Sequence, residues 1–132
     1  MAEESNLMIV LTTGKQDRGT RATLAFAWGC AAISLGKKVS LYLTMDGIWA
    51  LHGAMKGVEV NGFEVNEFDP LKNYMEQFLE FGGEILVCAP CSEYYCASDQ
   101  KQLSDALIAE AKLVGLTTIV AKADSRTQII TF

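Results

Sequence analysis

The sequence predicts an α/β protein in which a mostly parallel sheet lies between helices. Apolar runs of strand length alternate with longer segments that have helical periodicity, and this alternation is typical of βαβ units. The first run, Leu7 to Thr13, is apolar without alternation, as expected for a parallel strand covered on both faces. The sequence shows no internal repeat, low-complexity tract or linker, so we predict one domain over residues 1–132.

Composition narrows the class of protein. The chain has 132 residues, of which half are apolar and a fifth are charged, enough for a soluble domain with a real core. A formal net charge of −5 argues against nucleic acid or an anionic membrane surface as a partner. The first residues are acidic and no apolar run is long enough to cross a bilayer, so we expect a cytoplasmic protein. The four cysteines are then expected to be reduced thiols.

A long helix is predicted after the first strand. Thr20 is a suitable N-cap, the helix continues to about Leu35, and Gly36 is suited to the position after its end. The second strand follows over Lys38 to Met45, and Asp46 and Gly47 come next.

The distribution of apolar residues around this first helix predicts a contact in addition to its packing on the sheet. The helix is apolar nearly all round, which indicates burial nearly all round. Since one sheet face cannot cover it in so small a domain, we infer a subunit interface. The two apolar stripes are Ala22, Phe26, Gly29 and Ile33, and Leu24, Trp28, Ala31 and Leu35.

The middle of the chain is less regular. Ile48 to Ala54 favours a short helix, and Lys56 to Asp69 favours a loop with extended or hairpin character. Asp69 and Pro70 open the next helix as cap and first residue, and Gly82 ends it.

The last third predicts three more strands and one helix. Glu84 to Val87 is a buried strand, and a helix is expected from about Gln100 to Val114. Thr117 to Ala121 is predicted as the fourth strand and Gln128 to Phe132 as the fifth.

Three cysteines stand where the third strand ends and no helix has begun. They are Cys88, Cys91 and Cys96, the first two in a Cys-Ala-Pro-Cys run. In open α/β sheets, ligands and chemistry collect at the carboxyl ends of the strands. A reactive cysteine must be a thiolate, and a nearby helix N-terminus lowers the pKa of a thiol.

Four interpretations of these thiols compete. One thiolate can carry sulfur as a persulfide, or two can form a redox pair as in thioredoxin. The redox fold, however, needs a second, cis proline facing the motif, and Pro70 already opens a helix. A zinc site would need a fourth ligand, and His52 is the only histidine, so we predict no metal and no cofactor. The fourth interpretation, buried structural cysteine, suits Cys30 best, because it lies within an apolar helix.

The loop after the first strand offers a second candidate site. Thr12 to Lys15 is similar to the phosphate loop of flavodoxins but lacks its flanking hydroxyl residues. It is not a P-loop, because no Ser or Thr follows Lys15 and the upstream glycine is missing.

Over essentially its whole length the chain resembles the DsrE/DsrF-like family of sulfur-relay proteins. The resemblance rests on the first strand with its Thr-Gly loop, the helix ending at Gly36, the segment from Leu41 to Gly47, the cysteine after the third strand, and the final Ile-Thr-Phe. It implies a five-stranded parallel sheet in an α/β/α sandwich, with the last strand beside the first. It also implies trimers or hexamers.

The resemblance also assigns roles to the thiols. By position Cys88 corresponds to the persulfide-carrying cysteine, and Cys91 to a second cysteine of many members. Those members usually continue to an Arg-Gly pair, where this chain has Tyr95 and Cys96.

The leading hypothesis is therefore a sulfurtransferase-type carrier. Cys88 is its nucleophile, Cys91 is a second acceptor or the resolving thiol, and Cys96 is an alternative resolving thiol. Other sulfur-relay proteins are its partners. The alternatives are a nucleotide- or flavin-binding oligomer that uses the Thr12 loop, and a non-catalytic scaffold.

Overall fold

A five-stranded, all-parallel sheet forms the centre of the molecule. The computed structural model describes residues 6–14, 19–47, 58–60, 63–65, 69–88 and 111–132. The five strands are β1 (Asn6–Leu11), β2 (Lys38–Leu43), β5 (Glu84–Cys88), β6 (Lys112–Val114) and β7 (Thr127–Thr131), and their order across the sheet is β6-β5-β2-β1-β7. The predicted α/β class with a five-stranded parallel sheet is confirmed, and so is the place of the last strand beside the first.

Helices cover both faces of the sheet, giving three layers. Side chains alternate along each strand, so Leu7, Ile9 and Leu11 enter the larger core with helices α1 (Thr20–Ser34) and α2 (Asp69–Glu80). We call this side of the sheet the α1–α2 face. Met8 enters a smaller core on the opposite side with Ile119 of helix α3 (Leu116–Lys122), and we call that side the α3 face.

Helix α1 lies close to its predicted limits, with one correction at its start. Gly19, not Thr20, is the N-cap residue, and its φ of 74° is in the left-handed region that suits glycine. Thr23 donates its hydroxyl hydrogen bond to the Gly19 carbonyl at 2.8 Å. At the other end Gly36, with a φ of 86°, terminates the helix as predicted.

Helix α2 packs against α1 through two aromatic rings. Phe26 and Phe78 are fully buried and meet edge to face, with ring centroids 5.7 Å apart. The helix ends at the predicted glycine: Gly82 has a φ of 94° and donates to the Leu79 carbonyl. The next residue, Gly83, donates to the Phe78 carbonyl at 2.8 Å.

The segment before α2 contains a small separate hairpin. Strands β3 (Val58–Val60) and β4 (Phe63–Val65) pair antiparallel, as the predicted extended or hairpin character requires. The short helix predicted over Ile48 to Ala54 lies outside the described residues.

Two predictions near the C-terminus are wrong. Residues 112–114 form the edge strand β6 instead of ending a helix, and residues 100–110 of that predicted helix lie outside the described part. Residues 117–121, predicted as a strand, belong to α3. The β-branched run Thr-Thr-Ile-Val favours a strand, but strand propensity is decided by packing. Here only Ile119 of the helix is buried, so one helical face meets the sheet. The predicted fifth strand is confirmed as β7.

Candidate functional site

Cys88 is the last residue of β5, at the end of the sheet where the parallel strands finish. We call this end the carboxyl edge and the opposite end the amino edge. The register pairs Cys88 with Val114 of β6. Its side chain lies on the α3 face in one apolar cluster with Tyr42 and Leu86, is 9% exposed, and forms no disulfide with the other described cysteine. The sequence therefore predicted the place of this thiol correctly.

The other two predicted site cysteines cannot be placed beside it. Cys91 and Cys96 lie outside the described residues, as does His52, the only histidine. Within the described ranges no group of three potential metal ligands comes together. The grouping of the three thiols thus stays a prediction.

A tight turn follows β2 at the same edge, beside the strand that carries Cys88. Thr44 N donates to the Leu11 carbonyl at 3.1 Å, and Gly47 N closes the turn onto the Thr44 carbonyl at 2.9 Å. Met45 holds a positive φ of 52°, which is uncommon for a residue with a side chain. A Cβ on Gly47 would overlap the Leu11 carbonyl oxygen and stand 2.8 Å from its carbon. The turn is therefore fixed against the end of β1.

The sequence carries only a partial signal for this turn. An Asp-Gly pair after a strand indicates a turn, and Asp46 lies half-buried here. The close approach of Gly47 to the Leu11 backbone joins segments that are separated by a whole helix and strand, and no local pattern predicts it.

The Thr12 loop is engaged by the protein itself. Both the Thr12 backbone N–H and its hydroxyl donate to the Phe132 carbonyl, at 2.8 and 2.9 Å. Thr13 Oγ1 is buried and has no hydrogen-bond partner in the described part of the chain. Residues 15–18 of this loop lie outside the described part, so the nucleotide- or flavin-binding alternative stays a prediction.

Cys30 behaves as the predicted structural cysteine. It is buried in α1, and its thiol lies 3.5 Å from the Tyr74 carbonyl of α2, which it faces as a weak donor. Burial raises the pKa of the Cys30 thiol, which keeps it protonated and unreactive.

One apolar surface of α1 remains open to solvent in the single chain. Leu24 and Trp28 are each 46% exposed, and Leu35 is 79% exposed. The Trp28 ring meets Phe132 edge to face, with centroids 5.8 Å apart. These residues belong to the second stripe predicted from the sequence, so the stripe is a surface of the isolated chain.

Comparison with known proteins identifies the family. The DsrE/DsrF-like family model matches residues 5–132. The chain belongs to this family. Among the solved structures that share its fold is the ychN protein of E. coli, with a TM-score of 0.65 and 13% sequence identity. The alignment covers 98% of this chain and 100% of the ychN chain.

Another solved structure with this fold is that of BT1422 from Bacteroides thetaiotaomicron, a conserved protein of unknown function. It has a TM-score of 0.65 at 12% identity, with 97% of this chain and 95% of that chain covered. No curated protein matches the sequence. In the described ranges, no helix has the length and apolar character needed to cross a bilayer.

Proposed function

We propose that this DsrE/DsrF-like protein is a sulfur carrier that accepts sulfur as a persulfide on Cys88. The observation that carries the proposal is the position of the Cys88 thiol, on the last residue of an inner strand at the carboxyl edge. The membership of a family related to sulfur relay supports it. The other described cysteine, Cys30, is buried between two helices and suits no such role.

The reaction is an exchange at sulfur. The Cys88 thiolate attacks the outer sulfur of a persulfide donor, a new S–S bond forms on Cys88, and the donor's S–S bond breaks. The donor leaves as a thiolate, so nothing is oxidised or reduced overall. In the second half, a thiolate of the acceptor protein attacks the outer sulfur of Cys88 and restores its thiolate. The protein therefore needs no cofactor for this step.

Cys88 and Cys30 are equally buried, each 9% exposed, so the two thiols differ in position and not in exposure. Cys88 ends an inner strand at the carboxyl edge, whereas the Cys30 thiol faces the Tyr74 carbonyl between two helices. We propose other sulfur-relay proteins as donor and acceptor, and the cytoplasm as the compartment, because thiols stay reduced there. Cys91 is proposed as second acceptor or resolving thiol, and Cys96 as an alternative resolving thiol.

The test is intact-mass spectrometry after incubation with a persulfide donor, followed by peptide mapping. We expect a gain of whole sulfur atoms, removable by reductant, on the peptide that contains Cys88. Cys88→Ser should abolish the gain at that residue, while the matched control Cys30→Ser should take up sulfur like the wild type. Uptake by Cys88→Ser at the wild-type rate would overturn the proposal.

Two other mass outcomes are diagnostic. Loss of two hydrogen atoms without sulfur gain, with the persulfide donor reduced to its thiol and hydrogen sulfide, would mean that a second thiol converts Cys88 to a disulfide and that the protein is a dithiol redox pair that hands on no sulfur. No change, together with slow alkylation of Cys88, would favour a non-catalytic scaffold.

We further propose that copies of the chain associate through the exposed stripe of α1. Leu24, Trp28 and Leu35 form an apolar surface on a helix whose other side is already buried. Leu24→Glu should lower the mass measured by light scattering after size exclusion. Val120→Glu is the matched control, because Val120 is 65% exposed but lies on α3, on the other face of the sheet. An unchanged mass in Leu24→Glu would exclude this surface.

A further inference from the structure

A cavity of about 250 Å³ opens at the amino edge of the sheet. The first residues of β1, β2, β5 and β7 line it, and Lys122 and Asp124 at the end of α3 lie beside them. Met8 supplies apolar lining on the α3 face. The cavity lies away from Cys88, which ends β5 four residues after Glu84 begins it, about 13 Å along the strand.

Three polar side chains in the cavity lining have no partner among the described residues. Asn6 Oδ1 is buried without a hydrogen bond. The side chains of Ser40 and Lys38 make no hydrogen bond or ion pair to a described residue. The register pairs Asn6 with Lys38 and places Ser40 one side-chain repeat further along β2. By strand alternation all three share the α3 face with Met8.

The other charged groups of the lining are already engaged. Lys122 Nζ lies 3.4 Å from Glu84 Oε1. Asp124 Oδ1 accepts from the Arg126 backbone N–H at 2.9 Å and from the Thr127 hydroxyl at 3.0 Å. Among the charged groups of this lining, the Lys38 ammonium is thus the one available to bind a ligand. The neighbouring Asn6 amide can both donate and accept a hydrogen bond.

A buried amide oxygen without a partner costs free energy, because it has lost its water and gained nothing in return. A ligand that donates to Asn6 and accepts from Lys38 and Ser40 would satisfy all three groups. The volume corresponds to about eight water molecules and lies below the range of drug-sized pockets, so the ligand must be small.

We propose that this cavity binds a small zwitterion of the α-amino-acid class. The ligand's carboxylate lies against Lys38 and the Ser40 hydroxyl, and its ammonium group donates to Asn6 Oδ1. The side chain lies over Met8. The proposal is independent of sulfur transfer at Cys88, since the two sites occupy opposite edges of the sheet.

The test uses L-alanine as the probe and saturation-transfer NMR as the measurement, on the full-length protein. We expect saturation transfer to L-alanine at millimolar concentration, and at least about a tenfold weaker affinity in Asn6→Leu and in Lys38→Gln. Asn6→Leu keeps the size of the side chain and removes its polar atoms. Lys112→Gln is the matched control, because Lys112 is an exposed strand lysine outside the cavity lining, and it should bind like the wild type.

Two analogues separate the zwitterion from simple charge attraction. Acetate carries only the carboxylate and ethylammonium only the ammonium group, and we expect both to bind more weakly than L-alanine. Equal binding of acetate, equal loss in Lys112→Gln, or no transfer to L-alanine in the wild type would each overturn the proposal.

Discussion

The ring of Phe78 fills a slot between two glycines, and this arrangement gives a quantitative prediction. A Cβ on Gly83 would stand 2.6 Å from Phe78 Cε1 and closer still to two other distal ring atoms. The ring has little room to move, because it also packs closely against Gly29, where a Cβ would lie 2.7 Å from the same Cε1 atom. Phe78 is fully buried and Phe26 closes the slot edge to face. Gly83→Ala therefore overpacks a rigid site and should destabilise the protein by about 1–3 kcal/mol.

A compensating change identifies the cause. Phe78→Leu removes the distal ring atoms that the new methyl group would meet, and should itself cost about 1–3 kcal/mol, less than truncation to alanine. In the double variant the methyl group added at position 83 occupies the vacated space. We expect the double variant to be more stable than the sum of the single changes implies, by about 1–3 kcal/mol.

Urea unfolding followed by far-UV circular dichroism measures this coupling, with protein concentration held constant because association raises apparent stability. Gly115→Ala is the matched control, since a Cβ there meets nothing within 4 Å. Its effect should add to that of Phe78→Leu within about 0.5 kcal/mol. A coupling below about 0.5 kcal/mol between positions 78 and 83 would refute the steric argument.

Three further predictions concern the turn, one exposed carboxylate and one buried thiol. Gly47→Ala should lower the free energy of unfolding in urea by about 2–4 kcal/mol, because its methyl group would overlap the Leu11 carbonyl, which is held in the backbone and cannot rotate away. A decrease under about 0.5 kcal/mol would contradict this prediction. The Arg126 backbone N–H and then the Thr127 hydroxyl lower the pKa of Asp124 below 3.8, so its contribution to stability is present above that pH and lost as pH falls through the lowered pKa. Asp124→Asn should remove this part of the acid slope in urea midpoints measured across the acid range, and an unchanged slope would count against it. Because burial raises the pKa of Cys30, iodoacetamide should label it in the native protein far more slowly than in urea, and equal rates would show that the thiol is accessible.

The sequence predicted those parts of the fold in which local pattern and tertiary packing agree. The apolar runs of β1, β2 and β5 have no competing periodicity, and Gly36 and Gly82 mark helix ends where a positive φ is needed. Residues 117–121 were misjudged because their β-branched side chains favour a strand, while only Ile119 of the helix is buried. Residues 112–114 were misjudged in the opposite sense, because their pairing with β5 joins segments that are distant in the sequence.

In the candidate site, too, only the features with a local sequence signal were predictable. The place of Cys88 was predictable because it directly follows the apolar run of a buried strand. The engagement of Thr12 by Phe132 was not predictable, because it joins residues 120 apart. The cavity at the amino edge has the same origin: Asn6, Lys38 and Ser40 are ordinary strand residues until the parallel register brings them together.

The pairing of β7 with β1 has a consequence for how the chain folds during synthesis. β1 lies inside the sheet, but its second neighbour consists of residues 127–131, so one side of β1 has no strand to pair with until those residues have left the ribosome. Contacts of such long sequence separation slow folding. An unpaired, apolar edge of β1 is meanwhile open to pairing with other chains. A nascent chain stalled before Thr127 should therefore depend on chaperones more than the released protein does.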